Sequence, residues 1–445
     1  MDLTPRRFAD AVVLRPVGRI DHTTAPALRA ALGPHLERCT GGGDGVVLDF
    51  SGVEYISSDG LRVLVVASKQ ARAQGGTLVV AGLGPRVREI FAITRFEQVL
   101  EVFPTTADAV KRVSLAAAAA LAGDAVALRA RFWGTRGSIP VGLSGAVIRE
   151  KIVAALVAAA GKGVDTPEAA RAFVERDLDF ALGHTYGGDS SCVEVRTGGP
   201  ERVLCDLGSG ARVFGNHLMA AGGPRGHVVN VFMSHLHWDH IMGFPFFMPA
   251  YLPGNHIRIH GCHAALEAAF RHQHSAPSFP VDFSRLGATV EFVTLEPGRD
   301  YEIAGLRVRA KRQLHSGDSY GYRFEKDGRV LVYSTDSEHK RDDPAETEAF
   351  VEFFRDADLV IFDAMYSLAD AISVKEDWGH SSNIVGVELC QLARVKHLCL
   401  FHHEPANDDA AIATILRETR RLEELTRTGP PLQISAAYDG LELAV

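Results

Sequence analysis

Ser234-His235-Leu236-His237-Trp238-Asp239-His240 follows directly on the apolar run Val228-Val229-Asn230-Val231-Phe232-Met233. Three imidazoles and a carboxylate so close together are costly to hold unless a positive charge sits among them. Imidazole nitrogen and carboxylate oxygen are the donors that zinc and similar divalent ions prefer. At the end of an extended strand, His235 and His237 point to the same side. A turn after them swings Asp239 and His240 towards a second position. One short loop can therefore supply donors to two metal positions.

The chain has 445 residues, of which 46% are hydrophobic, enough for two or three domains with substantial cores. No apolar run reaches the roughly 18 residues of a membrane span. The start, Met1-Asp2-Leu3-Thr4-Pro5-Arg6-Arg7, lacks the hydrophobic stretch of a secretory signal. Six cysteines, at 39, 192, 205, 262, 390 and 399, form no C-x-x-C pair, which indicates neither a disulfide framework nor a thiolate zinc site. A reduced, cytoplasmic protein is the expectation. Residues 1–113 carry 14 Lys and Arg against 12 Asp and Glu, whereas the remainder carries 33 against 43. An acidic second half suits a small substrate better than a long nucleic acid, whose binding draws mainly on phosphate contacts.

The first 113 residues alternate strands and helices. Strands are expected at 11–16, 45–50 and 76–81, and helices at 24–36, 61–74 and 107–112, giving a sheet with helices packed on it. The alanine-rich stretch 114–128 is expected to be a largely helical linker. A second domain is expected over 129–445, with a helical insertion at about 143–182. Its many short strands fall at 192–197, 202–206, 228–233, 256–260, 289–294, 305–311, 321–325, 329–334, 359–363 and 397–401. Helices are expected near 211–221, 263–272, 346–355, 381–393 and 408–425. Two sheets sandwiched between helices accommodate this count better than one wound sheet, and the whole chain is of the α/β class.

Further donors stand at strand ends: His315 in Gln313-Leu314-His315-Ser316-Gly317-Asp318-Ser319-Tyr320-Gly321-Tyr322-Arg323, Asp336 after Val330–Thr335, and His402 after Leu398-Cys399-Leu400-Phe401. Each alone reads as a turn or capping residue. Together with the 235–240 cluster they make that reading untenable. Residues 129–445 resemble the metallo-β-lactamase superfamily and, within it, the ribonuclease Z-like and cyclic-phosphate phosphodiesterase branch. His315–Arg323 is similar to that branch's H-x-x-x-S-x-G-Y-R motif, Asp363-Ala364-Met365 to its Glu-Ala-Thr, and Gly379-His380-Ser381-Ser382 to its His-Ser-Thr segment. The resemblance implies one metal held by His235, His237, His315 and a bridging Asp336, and another held by Asp239, His240, Asp336 and His402. His403 is the rival for the last place. Asp239 thus counts among both the ligands and the catalytic residues.

The implied chemistry is phosphodiester hydrolysis by a hydroxide bridging two divalent ions, with charge on the phosphoryl oxygens offset by the same ions. Zinc is favoured by the histidine-rich donors, with manganese and iron as alternatives. His380, oriented and kept charged by Asp363, is the expected proton donor to the leaving group. Arg136, Ser190 and Ser191 are candidate phosphate contacts or structural turn residues, and His272 and His274 are candidate mouth or loop residues. No long basic Gly/Pro-rich arm follows the first cluster. The resemblance of Phe132–Pro140 and Tyr186–Cys192 to bacterial cyclic-phosphate phosphodiesterases therefore points to a small cyclic phosphodiester, either a cyclic nucleotide or a phosphoribosyl cyclic phosphate. RNA processing of the ribonuclease Z kind and a non-catalytic ligand sensor are the alternatives.

Residues 1–113 resemble a STAS domain, the fold of anti-sigma-factor antagonists, through Gly18-Arg19-Ile20-Asp21-His22-Thr23-Thr24-Ala25-Pro26 and Leu48–Leu61. The resemblance implies a partner kinase and phosphorylation at Ser58. The family's Asp-Ser-Ser-Gly reads Ser57-Ser58-Asp59-Gly60 here, so the acidic residue has moved. Ser58 is also a candidate N-cap of the helix that follows. A homo-oligomer remains compatible with the sequence.

Overall fold

A computed structural model describes residues 5–118, 128–339, 343–366 and 378–445. The chain divides into two compact units, Met1–Val126 and Ala127–Val445. Of the expected linker, residues 119–127 lie outside the described residues, and 115–118 are helical.

The first unit is built on a five-stranded sheet. Its order is Pro5–Phe8, Ala11–Leu14, Gly45–Asp49, Leu78–Ala81 and Val102–Phe103, antiparallel at the first pair and parallel thereafter. Alternation along the central strands explains its layers. Val46, Leu48 and Val80 pack with Leu28, Leu32, Leu64 and Ala67 from the helices Ala25–Arg38 and Ser58–Ala73. Val47 and Val79 face the other way, onto Ala109 and Val110 of the helix Thr106–Val113. The strands Val17–Ile20 and Gly52–Ile56 and the helix Pro85–Ile93 complete the unit and were not anticipated from the sequence. The capping expectation needs correction: Ser57, whose side chain accepts from Gly60 N, is the N-cap of Ser58–Ala73, and Ser58 is its exposed first residue.

The second unit holds two seven-stranded sheets. One runs Thr289–Thr294, His256–Gly261, Val228–Phe232, Arg202–Cys205, Cys192–Arg196, Arg129–Gly134 and Glu442–Ala444. The other runs Asp300–Ile303, Leu306–Gln313, Ser319–Lys326, Arg329–Ser334, Leu359–Asp363, His397–Phe401 and Gln433–Ala436. Their inner faces share one core, in which Phe132, Val193 and Phe232 of the first sheet meet Tyr322, Phe324, Ile361 and Phe401 of the second. Helices cover both outer faces: Gly210–Gly222 and Leu266–Gln273 on one, Pro344–Phe354, Asn383–Leu392 and Asp409–Thr426 on the other. The result is an αββα sandwich. The insertion at 143–182 comprises helices Gly145–Ala159, Pro167–Arg176 and Phe180–Gly183. Among the described residues, no helix is long and apolar enough to cross a membrane.

Parallel register places the chemistry at one edge. Ser334 pairs with Phe362, and Asp363 with Phe401, across three parallel strands. Asp336, Asp363 and His402 therefore leave the sheet at the same end. Val228–Phe232 in the facing sheet delivers His235 in the same way.

Candidate two-metal site

Ser234 and His235 end the run after Val228–Phe232, and the short helix Trp238–Ile241 then turns Asp239 and His240 inward. His235, His237 and His315 have ligand atoms within 4.8 Å of one another, as do Asp239, His240, Asp336 and His402. Asp336 stands between the groups. Its Oδ1 lies 3.2 Å from His240 Nε2 and 3.3 Å from His402 Nε2, whereas its Oδ2 lies 3.7 Å from His235 Nε2 and 3.8 Å from His315 Nε2. Asp239 Oδ2 lies 3.1 Å from His240 Nε2 and accepts from Ser138 N at 3.0 Å.

The backbone is bent to make these approaches. Asp206, Asp336 and His402 follow strands directly or by two residues, and all three have positive φ, at 60°, 46° and 59°. Non-glycine residues seldom occupy that region, and the strain is held by the packing around them. Gly137 admits His402: a Cβ there would stand 2.6 Å from its Nδ1.

Asp206 was not singled out by the sequence. It sits in Cys205-Asp206-Leu207-Gly208 as one acidic residue after a strand, and nothing in the sequence distinguishes it from a turn former. It is fully buried; its Oδ2 faces His240 Nδ1 at 2.8 Å and accepts from Tyr333 Oη and Ser234 Oγ at 2.7 Å each. A carboxylate on one ring nitrogen fixes the tautomer and aims the other nitrogen, here towards Asp239 and Asp336.

Electrostatics follow from burial and pairing. Burial opposes ionisation of Asp336, yet His402, His240 and His235 hold its pKa well below the usual carboxylate range. Asp239 is likewise lowered against burial by His240 and His402. His240 is held well above the usual histidine value, because Asp336, Asp239 and Asp206 outweigh desolvation. His235 goes the other way: burial and the neighbouring His240 push it well down. Its Nε2 is buried without a hydrogen-bond partner. A buried, neutral imidazole nitrogen aimed at a carboxylate, with five more nitrogen and oxygen donors gathered around the pair, fits a divalent cation on each side of Asp336.

His380 Nδ1 lies 2.9 Å from Asp363 Oδ2, so aspartate spans the distance in spite of its short side chain. Burial lowers the His380 pKa, but the charge and hydrogen bond of Asp363, with Asp336, lift it to about 9. The imidazole of His380 stands 5.0 Å from that of His315 and 5.1 Å from that of His402.

Other sequence candidates fall elsewhere. His403 points away: its Nε2 contacts Ala437 O at 2.8 Å, and burial takes its pKa down to about 4. Arg136 is buried and binds Gly187 O and Asn407 O, tying loops together. Ser190 Oγ donates to Asp239 O at 2.8 Å, supporting the backbone of the cluster, and Ser191 is buried. His274 does not line a mouth; it is buried among Phe244, Phe279 and Phe283. His272 is not in a loop but on the exposed face of Leu266–Gln273.

Residues 4–109 match the STAS domain family, and residues 201–403 match the beta-lactamase superfamily domain. The first region is 34% identical over 98 residues to an anti-sigma-B factor antagonist of Listeria monocytogenes, covering 22% of this chain and 82% of that protein. The chain joins a STAS domain to a metallo-β-lactamase-fold domain. The metallo-β-lactamase-fold part is 22% identical over 268 residues to a ribonuclease Z of Thermoplasma acidophilum, covering 49% of this chain and 81% of that one. Among solved structures, the metallo-β-lactamase fold protein YhfI from Bacillus subtilis is similar over 71% of this chain and 98% of its own, at 15% identity and a TM-score of 0.47.

Proposed function

We propose that the second domain hydrolyses a small phosphodiester at a two-metal site and that the STAS domain regulates it through a partner kinase. The reading is carried by two donor groups, His235, His237 and His315 on one side and Asp239, His240 and His402 on the other, with Asp336 between them and the paired His380 and Asp363 beside them. His235, His237, His315 and Asp336 would hold one ion, and Asp239, His240, Asp336 and His402 the other. The donors favour zinc, with manganese and iron as alternatives. When bound, the ions supply Lewis acidity towards the phosphoryl group and ionise water near neutral pH.

The chain's own groups supply the rest. Asp206 aims His240, and Ser138 N and Ser190 Oγ fix the carboxylate and backbone of Asp239. With Nδ1 of His380 held by Asp363, Nε2 is the nitrogen left to donate a proton to the departing alkoxide. The charge and hydrogen bond of Asp363 favour the protonated ring. The acidic balance of the second domain favours a small ester, such as a cyclic nucleotide or phosphoribosyl cyclic phosphate, over RNA. The similarity to ribonuclease Z keeps precursor tRNA as the rival substrate.

A panel of 3′,5′-cyclic, 2′,3′-cyclic and phosphoribosyl cyclic phosphates, with precursor tRNA beside them and His237→Ala as control, tests this reading. Turnover of a cyclic phosphodiester, lost in the variant, supports it. Cleavage of precursor tRNA alone would replace the substrate, and unchanged turnover in the variant would remove the metal site.

A further inference from the structure

None of the 15 residues of the helix Gly145–Ala159 is buried, yet six of them are exposed large aliphatics. The orientation of the helix is fixed from one side. Lys151 Nζ donates to Ala181 O at 2.6 Å and to His184 O at 2.7 Å, and it pairs with the buried Asp409, the first residue of Asp409–Thr426. At about 3.6 residues per turn, Ala154, Ala155 and Ala158 share that face and are half-buried with it. Ile152, Val153, Leu156 and Val157 therefore point away from the body of the domain, with Ile148 at the margin of the same stripe.

These five residues are between 45% and 71% exposed, on the order of 500 Å² of contiguous apolar surface. A standard interface takes ~800 Å² from each partner, roughly 60% of it apolar, so the stripe has the size that one copy of a dimer contributes. A lipid surface does not suit it. Helices that lie in a membrane interface carry Lys and Arg along a solvated polar face, whereas here that face is packed on protein and its lysine is spent in a largely buried ion pair. The charge pattern points to a second copy instead. Arg149 stands near the N-terminal end on the apolar side, where the helix dipole disfavours a cation. The last turn, where the dipole favours one, has no basic residue. Two copies laid antiparallel bring each Arg149 to the last turn of the other helix.

We propose that the protein forms a two-fold dimer in which Gly145–Ala159 packs antiparallel on the same helix of a second copy, centred on Val153 and Leu156. Side chains four apart, Ile152 with Leu156 and Val153 with Val157, make ridges that enter the grooves of the facing helix. Such an interface is isologous, so a residue near the axis meets its own counterpart. The dimer is independent of the reaction proposed above.

Sedimentation velocity on the full chain across a range of micromolar concentrations tests this. The wild type should sediment as a dimer. Val153→Glu and Leu156→Glu should each weaken that dimer at least about a hundredfold, because each sets two like charges at the axis. Both positions are exposed in the single chain, so the variants should keep the circular dichroism of the wild type. Val153→Glu mixed with Val153→Lys should restore a dimer that neither variant forms alone, a result that a merely misfolded variant would not give. A wild type that stays monomeric at every concentration would overturn the proposal, as would a dimer undiminished by both glutamates. A mixture of the two Val153 variants that stays monomeric would overturn it equally, since the helices would then not face each other.

Discussion

Asp206 and His240 form a buried pair, with Oδ2 of one 2.8 Å from Nδ1 of the other, that turns a flexible ring into an aimed donor. Tyr333 and Ser234 hold the carboxylate from two other sides, so the aim is set by both sheets. Asp206→Asn should lower metal affinity about 10–100-fold while the chain remains folded. Isothermal titration of chelator-treated protein with zinc measures this. Affinity equal to wild type would show that His240 needs no such partner.

Tyr333→Phe removes one hydrogen bond to the same buried carboxylate without leaving a cavity. A stability loss of about 1.5–3 kcal/mol is expected, read as a lower urea midpoint with unchanged slope.

His380 and Asp363 should matter in proportion to the basicity of the leaving group. On an ester with an alkyl leaving group, His380→Ala should reduce kcat about 10²–10⁴-fold. The loss should shrink towards unity with 4-nitrophenolate, which departs without a proton. Asp363→Asn should follow the same trend more weakly. An equal loss on both leaving groups would assign the pair to structure instead of proton transfer.

His397 gives a pH-dependent contribution far from the metal donors. It is buried against Ser435 Oγ at 2.8 Å, and burial, then Arg420, lowers its pKa to about 4. The unfolded chain, with a histidine near 6.5, binds a proton before the folded chain does. Stability is therefore full above about pH 6.5 and falls by up to about 3 kcal/mol as the pH drops towards 4. His397→Gln should flatten that part of the urea-midpoint profile; an unchanged slope would contradict the assignment.

Ser58 occupies the first position of Ser58–Ala73 and is exposed, so a phosphate there would meet free backbone N–H groups at the positive end of the helix. Ser58→Ala should abolish phosphorylation by a partner kinase of the anti-sigma type. Ser58→Glu should alter partner binding in pull-down, and binding identical to wild type would remove Ser58 from the regulatory account.

Much of this was legible because buried parallel strands write themselves as apolar runs closed by a polar residue. Val228–Phe232, Leu359–Asp363 and His397–Phe401 have that form, and the residues at their ends or just past them are the ones gathered in the site. Short edge strands such as Asp300–Ile303 and Glu442–Ala444 have too few residues to establish a period. Asp206 escaped notice because its partner is 34 residues away and its positive φ leaves no mark in the sequence. His274 suggested a mouth through its neighbours in sequence, yet its surroundings in space are phenylalanines. Ser57 and Ser58 are chemically equal as caps, and only the backbone turn chooses between them.

The central claim is that Asp336 serves two metal positions at once. Metal content per chain, measured by inductively coupled plasma mass spectrometry on wild type and Asp336→Ala, tests it together with turnover of bis(4-nitrophenyl) phosphate by the same samples. Two divalent ions per wild-type chain are predicted, with loss of both ions and of turnover in the variant. One ion or none in the active wild type, or undiminished turnover by the variant, would contradict the account.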